Sequence, residues 1–260
     1  MNFIDTHCHL DFSKFHKDLE QTVERAFEAG AVALINIGVD LPTSKNSVGL
    51  ASRYRLIYAS IGVHPHDAKT LSVEVLEKLR QLGKERKVVA IGEIGLDYYR
   101  NLSAQSVQSS AFIDQLSLAR ELNKPIIVHC RDAYSELLNI LDEHHLPHLS
   151  GQCPGVVHSF SAGVRYAQEF LKRGFYLGFN GMITYPNNEQ LVEAVRITPL
   201  NKILIETDAP FLAPQIHRGK RNEPLYVLEV AKEIAKIKNL SVEEVCQIST
   251  DNARQLFKLQ

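Results

Sequence analysis

Eight short apolar runs, each followed by a helical pattern, constrain this chain more than any other feature. The runs are Phe3–His7, Ala33–Gly38, Leu56–Val63, Val88–Ile94, Pro125–His129, Gly155–His158, Phe175–Phe179 and Lys202–Thr207. After the first, Leu19, Val23, Ala26 and Phe27 form an apolar stripe at helical spacing, with Gly30 as the expected stop. Val164, Ala167, Phe170 and Leu171 repeat it between a candidate N-cap, Ser161, and a stop at Gly174. Leu225, Leu228, Ala231, Ile234 and Ala235 follow the last run, and Ser241 to Glu244 reads as a capping box. Strand–helix alternation builds a parallel sheet covered by helices. Eight repeats in 260 residues predict an α/β fold, a (β/α)8 TIM barrel, as one domain over 1–260. A doubly wound open sheet is the competitor, but no Gly-rich dinucleotide loop or Walker loop follows an early run.

Composition limits the function classes. The hydrophobic share of 45% supports a full core, and the net charge of −1 excludes a global basic field. Contact with a polyanion is therefore expected to be local to a site. No apolar run approaches a membrane span, and the N-terminus lacks a signal-peptide pattern, so a cytoplasmic location is the expectation. The four cysteines have no framework spacing and are expected to be reduced.

Barrel chemistry sits at the carboxyl ends of the strands. Run 1 ends in His7-Cys8-His9, and side chains two apart on a strand share a face. Run 3 leads into His64-Pro65-His66, run 4 carries Glu93 and Asp97, and run 5 ends in His129-Cys130-Arg131. Run 6 ends in His158, and run 8 leads into Glu206-Thr207-Asp208. Charged groups are rare in strand cores without partners. Any one of these residues alone has a structural reading. Together they predict a metal site of His7, His9, Glu93, His129, His158 and Asp208. By parity Asp5, behind His7 and His9 on the same face, and Glu206 face inward below the ligands and are candidates for hydrogen bonds to ligating histidines. His16, His144, His145 and His148 lie in polar contexts and are expected at the surface.

Six ligands exceed the four that one tetrahedral zinc ion takes, and they suit two divalent ions about 3.5–4 Å apart. Glu93 is then the expected bridge, with His7, His9 and Asp208 on one ion and His129 and His158 on the other. Strand 4 contains no lysine that could bridge as a carbamate. Mg²⁺, Mn²⁺ and Zn²⁺ all remain open. Water on such ions has a pKa of about 7, and Asp208 is placed to take its proton. Glu93, Asp208 and His64 are the candidate catalytic residues, His64 as a substrate contact or leaving-group acid. Arg131, Arg218 and Arg221 are candidate phosphate contacts. Each also has a plain reading as a surface ion pair.

The segments Phe3-Ile4-Asp5-Thr6-His7-Cys8-His9-Leu10-Asp11, Gly62-Val63-His64-Pro65, Gly92-Glu93-Ile94-Gly95-Leu96-Asp97-Tyr98, Pro125-Ile126-Ile127-Val128-His129-Cys130-Arg131-Asp132-Ala133, Glu206-Thr207-Asp208-Ala209-Pro210 and Arg221-Asn222-Glu223-Pro224 span nearly the whole chain. In this order they resemble the TatD family of metal-dependent deoxyribonucleases, among the amidohydrolase-like barrels. The resemblance implies a two-metal phosphodiesterase, often a 3′→5′ exonuclease needing Mg²⁺ or a similar ion, with the same six ligands. One departure is Ser135, where the family usually has an acidic residue; Glu136 follows directly.

The leading expectation is thus a phosphodiesterase acting on a DNA end, gripped over few phosphates. A metal-dependent hydrolase of esters or amides, such as aminoacyl-tRNA or a lactone, is the enzyme alternative. A silent nucleic-acid- or protein-binding barrel is the non-enzyme one. Oligomeric state is not encoded legibly, and a monomer is compatible with the sequence.

Overall fold

The computed structural model describes residues 1–149, 151 and 153–259. Its eight strands are β1 (Phe3–Cys8), β2 (Ala31–Ile37), β3 (Ile57–Ile61), β4 (Val88–Asp97), β5 (Ile126–Arg131), β6 (Gly155–Val157), β7 (Tyr176–Phe179) and β8 (Ile203–Ile205). They pair in parallel in sequence order, and a bridge between Cys8 and Ala209 joins the last strand to the first. The doubly wound alternative would reverse its strand order, so sequential pairing excludes it. All eight expected runs are strands, and the fold is the expected barrel.

Two apolar layers hold it. The larger lies between strands and helices and includes Leu34, Ile57, Phe112, Phe170 and Ile234. The smaller fills the barrel with Ile4, Ala33, Ile35, Val89, Ile127, Val156, Tyr176 and Leu204. Its lower end is closed by Ala253, Leu256 and Phe257 of the last helix, Val242–Phe257, which the Ser241–Glu244 capping box starts. Two residues beyond the inner apolar layer, the same strand faces carry His129 after Ile127, His158 after Val156 and Glu206 after Leu204. The period of two thus converts packing positions into site positions.

Strand β1 departs from simple alternation. Between Asp5 and Cys8 it carries one more residue than β2, a bulge that changes parity. Ile4 therefore joins the inner layer, yet His7 and His9 turn inward above it. Asp5 is not stacked behind the histidine rings. Its buried carboxylate accepts from Thr207 Oγ1 (2.6 Å), Thr207 N (2.9 Å) and His7 N (3.2 Å), tying β1 to the end of β8. Burial pushes the Asp5 carboxyl up to about 8, against the lowering effect of those bonds.

Other sequence expectations shift in detail. The helix Leu19–Glu28 forms, but Phe27 is exposed and Val23 and Ala26 carry the buried face. The helix Val164–Lys172 is capped at Gly163 rather than Ser161. His145 is buried, contrary to its polar context: Arg120 donates to the His144 carbonyl, holding the helix end Tyr134–His144 against its neighbour and drawing His145 inside. Burial lowers His145 to about 4, so it is neutral. His16 and His148 are exposed as expected, and His144 is half-buried. The cysteines are free, three of them buried. Ser135 bonds the Tyr166 hydroxyl at 3.2 Å, so its place in the pattern is filled by a neutral contact. Among the described residues no helix is long and apolar enough to cross a membrane.

Candidate metal centre

A cavity of about 700 Å³ opens at the carboxyl end of the barrel, with His9, His64, Glu93, His129, His158 and Asp208 in its wall. Glu93 is central. Its Oε1 lies 2.7 Å from His158 Nε2, 2.9 Å from His129 Nδ1 and 3.4 Å from His64 Nε2, and its Oε2 lies 3.4 Å from His7 Nε2. Asp208 Oδ1 faces His9 Nε2 at 3.4 Å and His7 Nε2 at 3.6 Å. The donor atoms form three groups close enough to share an ion: His7, His9 and Asp208; His7, Glu93 and His158; and His64, Glu93 and His129. All six expected ligands therefore meet in one place, with His64 beside them.

Glu93 reaches the centre because β4 and β5 approach closely. Gly95 pairs with His129 at φ +141°, and a Cβ there would overlap the His129 carbonyl oxygen. On the opposite wall Gly178 plays a similar part. A Cβ at 178 would collide with Oε2 of Glu206, whose Oε1 accepts the amide of Ser159 at 2.5 Å and lies 3.6 Å from His158 Nδ1.

Outer hydrogen bonds fix the tautomers of three rings, His9, His129 and His64. His9 Nδ1 lies 3.3 Å from the Ile37 carbonyl and must donate to it, leaving a lone pair on Nε2. His129 Nε2 donates to Asp97 Oδ2 at 3.0 Å, leaving a lone pair on Nδ1. His64 is the reverse: its Nδ1 accepts the His66 amide at 3.1 Å, so the neutral ring points an N–H into the site. Burial lowers His64 to about 4 and keeps that ring neutral.

The lone pairs test the fit of a cation. His129 Nδ1 meets a Glu93 oxygen and His9 Nε2 meets an Asp208 oxygen, while the buried Nδ1 of His7 has no hydrogen-bond partner. Acceptor against acceptor in a buried wall is repulsive unless a positive charge stands between them. Protons on the rings or divalent ions meet that need. Without an ion, burial opposes charge on His129, His9 and His158, yet facing carboxylates raise all three above the usual imidazole range. Burial likewise opposes charge on Glu93 and Asp208, and the surrounding imidazoles hold both below the usual carboxylate range. Imidazole nitrogens with fixed outer hydrogen bonds, interleaved with carboxylates, are a donor set suited to divalent cations.

The arginines separate. Arg131 lines the cavity, its guanidinium carbon 3.8 Å from the Tyr99 ring centroid. Arg218 lies over Tyr185 at 4.4 Å, outside the cavity wall. Arg221, expected at the mouth, is instead bound to Asp18 by two bonds of 2.6 Å and to Glu223 at 2.8 Å. A basic sequence run has no way to announce Asp18, which arrives from the N-terminal cap of the helix Leu19–Glu28. The residue that sequence reasoning left without a role is Asp97. Its Oδ2 takes both His129 and His66 (2.9 Å). Its spacing of four from Glu93 on a predicted strand end was the available signal.

Fold and site together define a (β/α)8 barrel with a donor set for divalent cations at its carboxyl end. The family described as TatD related DNase matches residues 4–258, and the chain belongs to that family. An uncharacterized metal-dependent hydrolase of Bacillus subtilis, YabD, is 41% identical over 255 residues, 98% of each chain. The 3'-5' ssDNA/RNA exonuclease TatD of Salmonella typhimurium is 35% identical over 260 residues, again 98% of each. Among solved structures, the TatD homologue YjjV of Escherichia coli superposes with a TM-score of 0.92 at 33% identity, over 99% of this chain and 98% of that one.

Proposed function

We propose that this protein is a phosphodiesterase that removes nucleotides from the end of a single-stranded nucleic acid, and that it uses two divalent ions. The carrying observation is Glu93, whose two oxygens face different imidazole groups, His7 on one side and His64, His129 and His158 on the other. His7, His9 and Asp208 would hold one ion, and His129 and His158 the second, with Glu93 between. When bound, the ions supply Lewis acidity and an activated water. The chain's own residues do the rest. Asp208, whose Oδ1 faces the His7 and His9 rings, would accept the proton of the attacking water. His64 offers its Nε2–H as a hydrogen bond to a substrate oxygen. Asp97 holds the His129 ring, and Arg131 stands at the rim as a phosphate contact. The name carried by the Salmonella relative supports nucleic acid as the substrate class.

The test is hydrolysis of a short single-stranded oligonucleotide by wild type and Asp208→Ala, with Mg²⁺, Mn²⁺ and Zn²⁺ in turn. The variant is expected to lose at least 10²-fold in kcat with its circular dichroism unchanged. Cleavage of ester or lactone substrates, with no oligonucleotide cleaved by wild type, overturns the phosphodiester reading.

A further inference from the structure

One exposed aromatic side chain lines the cavity and another stacks on an arginine of the opposite wall, and each is paired with a cation. Phe211, three residues past Asp208, is 43% exposed and lines the cavity with Phe12. The two rings meet edge to face at 5.9 Å, Phe12 lies on His9 at 4.8 Å, and Lys14 Nζ is 5.3 Å from the Phe211 centroid. Across the mouth, Tyr99 is 58% exposed and carries Arg131 over its ring. Phe211 follows β8 beside β1, whereas Tyr99 and Arg131 belong to the β4–β5 side, so sequential strand order sets them across the barrel. Single exposed aromatics are ordinary. Two at one mouth, each beside a cation, with Phe12 already stacked on a site histidine, are arranged for flat ligands that carry negative charge. Arg100 also lines the cavity on the Tyr99 side, whereas Arg221 adds nothing there because Asp18 and Glu223 neutralise it.

We propose that Phe211 and the Tyr99–Arg131 stack are base platforms. They hold unpaired nucleotides by their faces on either side of the scissile linkage, with Lys14 and Arg131 close to the flanking phosphates. The inference rests on the phosphodiesterase reading and deepens it. Recognition is by base face, so a paired end, whose bases are already stacked, is a poor ligand, and DNA and RNA strands are held alike.

The experiment uses a short phosphorothioate oligonucleotide with 2-aminopurine near its 3′ end, so that binding is read by fluorescence quenching without turnover. Wild type is expected to quench, Phe211→Ala and Tyr99→Ala to weaken binding about tenfold each, and Phe211→Trp to restore it. An abasic site in place of the stacked base is expected to weaken binding to wild type but add nothing in the matching alanine variant. Cleavage of oligonucleotides without quenching, or alanine variants that bind like wild type, overturns the platforms and leaves the phosphodiesterase reading standing. Quenching with no cleavage of any unmodified oligonucleotide supports the platforms and overturns that reading. Absence of both binding and cleavage overturns the two together.

Discussion

Asp97 holds the Nε2–H of His129 at 3.0 Å and thereby aims the other nitrogen of that ring at Glu93. The same Asp97 oxygen receives His66, so one acceptor steadies two rings, while the second oxygen takes the Arg100 amide at 2.7 Å. Asp97→Asn keeps the Arg100 contact only by turning its NH₂ towards both ring donors. The expected result is a 10–100-fold weaker affinity for divalent cations with the fold retained. Calorimetric titration of stripped protein measures it, and an affinity equal to wild type refutes the orienting role.

Ion binding is expected to stabilise the whole barrel, since its donors come from β1, β4, β5 and the ends of β6 and β8. At a hundred times its dissociation constant, an ion adds about 2.7 kcal/mol. For a chain of this size that raises Tm by roughly 5–10 °C. Scanning calorimetry of chelator-treated protein, before and after Mn²⁺ or Zn²⁺ is restored, reads the shift. Equal Tm values refute ion binding at this centre.

His64 differs from its neighbours because its inward nitrogen carries the proton. His64→Ala is therefore expected to lower kcat about 10–100-fold while the bound metal per chain stays at the wild-type value. Elemental analysis beside the kinetics separates the two roles. Loss of one ion per chain would make His64 a ligand through the group it shares with Glu93 and His129.

Arg221 is expected to act on stability rather than on substrate. Its hydrogen bonds hold the Asp18 carboxyl down at about 2. A carboxylate depressed in the fold contributes fully above its unfolded value of 3.8 and loses that contribution as pH falls towards 2. Screening at this half-exposed pair limits the gain to about 1 kcal/mol. Asp18→Asn is thus expected to cost about 1 kcal/mol in urea denaturation at pH 7 and nothing near pH 2. An equal cost at both pH values refutes the ion-pair origin.

The barrel was legible because period-two apolar runs and amphipathic stripes are local features, and all eight recur. That the six candidate residues would meet was legible because each stands at or next to a run's end, and the barrel gathers run ends into one place. Three things were not. The bulge in β1 depends on how β1 pairs with β2, so Asp5 appeared to stand behind the histidines. Asp18 reaches Arg221 across most of the chain, and no spacing within residues 217–224 signals it. The tautomers of His64 and His129 follow from partners in the fold, which leaves ligand and hydrogen-bond donor indistinguishable as letters.

Gly178 has no functional group, yet strand β7 must be bare there for Glu206 to lie beneath the Ser159 amide. Transplanting the side chains of this centre onto another barrel would fail at this point wherever the host carries alanine. The methyl would lift Glu206, free the backbone next to His158 and swing that ring off its aim. The specification of the centre thus includes an empty volume on a strand that contributes no donor atom.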